Sequence, residues 1–120
     1  MDRYYRSETT AATTMELIVD RQYSRITLPM SVYLDCSAGK REARLTDLGL
    51  GGCYIDSIAG VRPEEVVGIT MVLPNGSEIE IFGTVAYVHD GIGFGIQFND
   101  MDRKQRTVLE TLVLAYGGEV

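Results

Sequence analysis

A chain of 120 residues, 45% hydrophobic and 23% charged, has the makeup of one soluble globular domain and is long enough to bury about two thirds of the surface its unfolded form exposes. Its net charge of −6 argues against a nucleic-acid polymer as partner, because such binding neutralises many phosphates at once, whereas a small dianion needs only a local positive site. The longest apolar run, residues 66–73, is far too short to span a bilayer and no apolar signal stretch follows Met1, so the expectation is a cytoplasmic protein without membrane insertion, in which Cys36 and Cys53 are thiols rather than a disulfide.

Residues 1–14 carry few large apolar groups and read as a flexible arm ahead of a single domain over 15–120. Residues 15–19 fit a short strand or a helix equally, and Arg21 and Arg25 follow. From Ile26 the chain reads as strands punctuated by turns: 26–36, a turn at 37–40, 41–48, a glycine-rich turn over Gly49, Gly51 and Gly52, then 53–58. A β-branched run over 66–73 meets the hairpin signal Pro74-Asn75-Gly76-Ser77 and the strand 78–88, whose first half alternates glutamate with isoleucine. His89-Asp90-Gly91 turns the chain into a last strand, 92–98. Six strands on mostly short connections predict a mostly β protein, a small six-stranded antiparallel barrel over about 26–98 that removes its edges by closing on itself, with Gly83, Gly93 and Gly95 where strands approach closely. Asp100 or Asp102 then caps a C-terminal α-helix over about 102–116, with Val108, Leu109, Leu112, Val113 and Tyr116 on one apolar stripe and Gly117-Gly118 as its stop. The basic trio Arg103, Lys104 and Arg106 sits unfavourably for the helix dipole, which leaves a partner or a carboxylate to face it.

The chemistry concentrates in two places. Arg21 and Arg25 offer planar forks of donors suited to phosphate or to a guanine edge, and Asp47-Leu48-Gly49-Leu50-Gly51-Gly52 offers a carboxylate beside bare backbone. Together they point to an anionic guanine nucleotide. Basic residues are concentrated ahead of the glycine-rich turn, so local positive potential belongs to the N-terminal half. Nothing comparable points to catalysis. His89 has no nucleophile motif near it and reads as a solvated turn residue beside Asp90; Cys36, Cys53 and His89 lack the close spacing of a metal site; and Gly91, Gly93 and Gly95 lead into a strand rather than the helix of a dinucleotide fingerprint.

Arg21 and Arg25 in the spacing Arg-x-x-x-Arg, followed by Asp47 and Gly52, resemble the signature of the PilZ family, receptors for the bacterial second messenger cyclic di-GMP, with Gly49 where the family usually has serine. The barrel-and-helix layout also resembles that family's split barrel, over about residues 20–116. The resemblance implies a receptor or adaptor, not an enzyme and without a cofactor or metal, that couples cyclic di-GMP to an unidentified protein effector in motility, biofilm or polysaccharide control. It implies that Arg21 and Arg25 clasp a phosphate and a guanine Hoogsteen edge or stack on a purine, that Asp47 accepts from guanine N1 and N2, and that Gly51 and Gly52 keep the turn tight and leave room for the base, with Gly49 at the position where a hydroxyl usually contributes. Asp20, where members that bind a stacked ligand pair often have another arginine, favours one ligand per site. The alternative within the family is a degenerate interaction module that does not bind nucleotide.

Overall fold

The computed structural model describes residues 25–119, so the expectations for the arm at 1–14, for residues 15–19 and for Arg21 lie outside the described residues. It contains strands β1 (Arg25–Cys36), β2 (Gly39–Gly49), β3 (Gly52–Asp56), β4 (Val66–Val72), β5 (Glu78–His89) and β6 (Gly93–Phe98), followed by helix α1 (Arg103–Ala115). The strands close into an antiparallel barrel in the order β1, β2, β3, β6, β5, β4. This is the mostly β, six-stranded barrel with a C-terminal helix that the alternating pattern predicts.

Period-two alternation is what fills the barrel. Leu34, Leu45, Leu48, Ile55, Ile69, Ile81 and Ile96 are wholly buried in it, while Glu78 and Glu80 face outward from β5 in alternation with Ile79 and Ile81. At roughly 1.5–3 kcal/mol for each large aliphatic removed from water, this core is the main source of stability. Three irregularities bend the strands: between Thr27 and Met30 in β1, between Leu45 and Asp47 in β2, and between Val85 and Tyr87 in β5. Pro29 lies in the first of them, where a residue with no N–H to give the ladder is tolerated.

The helix begins on a capping box. Asp102 Oδ1 accepts from the Gln105 N–H at 2.7 Å, and Gln105 Oε1 accepts from the Asp102 N–H at 2.8 Å. Gln105 Nε2 also donates to the Glu80 carbonyl at 2.7 Å, tying the helix start to β5. Leu109 and Val113 are buried and Val108 and Leu112 pack against the core, but Tyr116 departs from the predicted stripe and is 54% exposed. Tyr116 is the C-cap, past the last full turn, and the chain reverses at once through Gly117 (φ +91) with Gly118 N–H donating to the Val113 carbonyl. A Cβ on Gly118 would lie 2.5 Å from Val113 and 2.8 Å from Ile26, so the helix end is pressed against the start of β1. Of the basic trio, Arg106 finds a carboxylate on its own helix, Glu110, at 3.6 Å, rather than on the barrel.

Candidate functional site

Arg25 is the first residue of β1 rather than a residue of the preceding loop, and it stands opposite Gly49 in the register with β2. Asp47 reaches the outside of the barrel through the β2 irregularity: one extra residue, Thr46, lets Leu45 and Leu48 both enter the core while Asp47 points out between them. Arg25 Nη2 donates to Asp47 Oδ1, an ion pair between residues 22 apart in sequence. The Arg25 side chain is 15% exposed and that of Asp47 37%, so the pair is shielded on the arginine side and open to solvent on the carboxylate side. Two of the residues that the sequence selects as a site are therefore in direct contact.

The glycine-rich segment is shorter as a turn than its composition suggests. Gly49 is the last residue of β2 and Gly52 the first of β3, leaving Leu50 and Gly51 as the connection. Leu50 is buried, and the Gly51 carbonyl accepts from Phe98 N–H at 2.8 Å. A Cβ on Gly52 would sit 2.0 Å from the Ile96 carbonyl oxygen. The space that glycine leaves at 52 is thus filled by the backbone of β6, and it is not room for a base. Beside Gly51 opens a cleft of about 800 Å³, lined by Leu50, Thr84, Gln97, Asn99 and Arg106 among others.

Cys53 and Ile55 face the core, and Tyr54 between them faces out. Burial pushes the Cys53 thiol up to about 12, with nearby Arg25 pulling it down and Asp47 pushing it up, so at neutral pH it is a packed thiol and not a nucleophile. Cys36 and Cys53 are both free. His89, expected in a solvated turn, is instead the last residue of β5, half-buried, with its Nδ1 3.0 Å from the Tyr54 hydroxyl. Tyr54, Tyr87 and His89 form an aromatic cluster, with ring centroids 5.2–6.3 Å apart. The sequence carried a partial signal for it: Tyr54 falls on the outward phase of its strand, but its meeting with Tyr87 and His89 depends on the β3–β6–β5 order and on the β5 irregularity. Among the described residues no group of three or more His, Cys, Asp or Glu could hold a metal ion, and no helix is long and apolar enough to cross a membrane.

The profile of the PilZ domain family matches residues 20–115. No curated protein matches the chain significantly. Among solved structures, MotI/DgrA, an inhibitor of motility from Bacillus subtilis, is similar over 79% of this chain and 50% of its own, at 15% identity and a TM-score of 0.67. The PilZ domain of YcgR from Escherichia coli, solved with c-di-GMP, is similar over 80% of this chain and 90% of its own, at 16% identity and a TM-score of 0.65. The PilZ domain of CeSA from a cellulose-synthesizing bacterium is similar over 76% of this chain and 95% of its own, at 22% identity and a TM-score of 0.60. The chain thus spans half the length of the Bacillus protein. At these identities the likeness establishes the fold.

Proposed function

The chain belongs to the PilZ domain family, and from that premise we infer that it is a bacterial cyclic di-GMP receptor that couples the level of the second messenger to a protein effector, in motility, biofilm or polysaccharide control. The observation that carries this inference is the Arg25–Asp47 pair, assembled from two strands on the outer surface beside the glycine-rich segment. It sets a guanidinium against a carboxylate that is still partly open. The planar fork of Arg25 suits a phosphate or a guanine Hoogsteen edge, and Asp47 has acceptor capacity for guanine N1–H and N2–H, which adenine cannot match. Arg21 supplies the second guanidinium, so that two cations meet a dianionic ligand on a protein whose net charge is −6. Gly51 and Gly52 shape the site by holding β3 against β6, and Gly49 brings bare backbone opposite Arg25.

The receptor works in the cytoplasm as an adaptor, without catalysis. A ligand held by Arg21 and Arg25 links the chain ahead of β1 to the barrel, and the surface offered to the effector changes with it. The test is calorimetric titration with cyclic di-GMP, with cyclic di-AMP and GTP as competitors. Saturable binding of one ligand per site, resistant to both competitors, is expected; no heat and no shift in thermal unfolding at high micromolar ligand would overturn it.

A second reading has one observation in its favour. Gly49 gives no hydroxyl at the position where the family usually has serine, which suits an interaction module that has lost its nucleotide. Equal capture of the effector with and without cyclic di-GMP would select that reading.

A further inference from the structure

The outward positions around the Arg25–Asp47 pair continue in a row across the barrel. Asp47 in β2 is the register partner of Tyr54 in β3, Tyr54 of Gly95 in β6, and Gly95 of Tyr87 in β5. Two of these residues are aromatic and one has no side chain, and that missing side chain is what lets the rings lie down. A Cβ on Gly95 would be 2.3 Å from Tyr87 Cζ, and one on Gly93 would be 2.7 Å from Tyr54 Cε2. Both rings therefore reach over β6. Tyr87 is only 6% exposed yet stands outside the cluster of core residues, so it forms a floor on the outer surface. The half-buried Tyr54 lies next to it, with centroids 6.3 Å apart, and its hydroxyl is fixed by His89 Nδ1 at 3.0 Å.

One strand spacing, about 4.8 Å, separates Asp47 from Tyr54. A purine is wider than that. A base whose Watson–Crick edge is taken by Asp47 extends over a neighbouring strand; Asp47 is flanked by Thr27 of β1 and Tyr54 of β3, and of the two only Tyr54 offers a ring to stack on. Stacking on an aromatic ring suits any purine, whereas the carboxylate beside it selects guanine. We propose that Tyr54, backed by Tyr87 and oriented by His89, is a stacking platform for a guanine of the bound cyclic dinucleotide, contiguous with Arg25 and Asp47. The ring offers contact area at low conformational cost, because its position is set before ligand arrives by the hydrogen bond to His89 and by the glycines beneath. This platform compensates for the hydroxyl that Gly49 lacks.

The proposal rests on the receptor function inferred above, and the experiment separates the two. Cyclic di-GMP is titrated calorimetrically into the wild-type chain and into Arg25→Ala, Tyr54→Ala, Tyr54→Leu and Tyr54→Phe, with the unfolding temperature of each variant recorded. Losing a stacked base weakens binding about tenfold or more, so Tyr54→Ala and Tyr54→Leu each fall by that factor and Tyr54→Phe restores most of the affinity. Leucine keeps the packed volume, so it decides the matter if the alanine variant fails to fold. Loss of binding in Arg25→Ala with wild-type affinity in Tyr54→Leu overturns the platform and leaves the receptor standing. Absence of binding to the wild-type chain overturns both.

Discussion

The barrel has two outer faces of opposite chemistry. On the face where the start of β1 joins β2, β3, β6 and the end of β5, an arginine–aspartate pair adjoins an aromatic cluster laid over glycines. On the face formed by the later half of β1, β4 and the first half of β5, the row Tyr33–Thr70–Glu80 lies beside the row Asp35–Gly68–Phe82; Tyr33, Val66, Val72 and Phe82 are exposed, and neither β4 nor β5 contains a lysine or arginine. The first face carries a guanidinium beside a half-open carboxylate and aromatic rings, the chemistry proposed above for the nucleotide; the second sets exposed apolar groups among the carboxylates Asp35, Glu78 and Glu80. One closed sheet thus keeps two surface chemistries apart simply by which strand segments contribute the outward phase of their alternation.

Arg25→Ala should have the largest effect on the ligand face. Loss of a charge-assisted contact of about 2–3 kcal/mol is expected to lower cyclic di-GMP affinity roughly 30- to 150-fold, measured by calorimetry. Gly52→Ala tests the scaffold of the same face. Its Cβ would meet the Ile96 carbonyl, which is backbone and cannot step aside, so a loss of about 1–3 kcal/mol in urea unfolding is expected, while alanine at an exposed outward position such as Thr27 changes stability far less. Gly49→Ser adds a hydroxyl on the proposed ligand face, with affinity expected to rise about fivefold for a hydrogen bond of ~1 kcal/mol. The smallest effect belongs to the other face. Tyr33→Ala and Phe82→Ala are expected to leave the cyclic di-GMP isotherm unchanged, and a drop comparable to that of Arg25→Ala would show that the ligand lies across the wrong strands.

The fold was largely legible in the sequence because alternation in strands such as Glu78-Ile79-Glu80-Ile81 is a local property that the barrel merely collects. Boundaries moved where tertiary contacts act: Gly49 joined β2 by pairing with Arg25 of β1, Gly52 joined β3 against Gln97 of β6, and Tyr116 left the helical stripe because the glycines after it turn the chain back. Arg25 and Asp47 were visible as residue types at a telling separation, but their pairing requires Thr46 as an extra residue that turns Asp47 outward, which no pattern of apolar residues announces. The aromatic cluster was hidden for a related reason. Tyr54, Tyr87 and His89 come from strands that are not consecutive in sequence, and only the β3–β6–β5 order brings them to one surface.

Whether cyclic di-GMP occupies the arginine–aspartate face is decided by titrating it into the isotopically labelled protein and following the backbone amide shifts. Shifts concentrated at Arg25, at Asp47 through Tyr54, and at Gly95 are the predicted result. Shifts centred on Tyr33, Thr70 and Phe82, or none at saturating ligand, would contradict it.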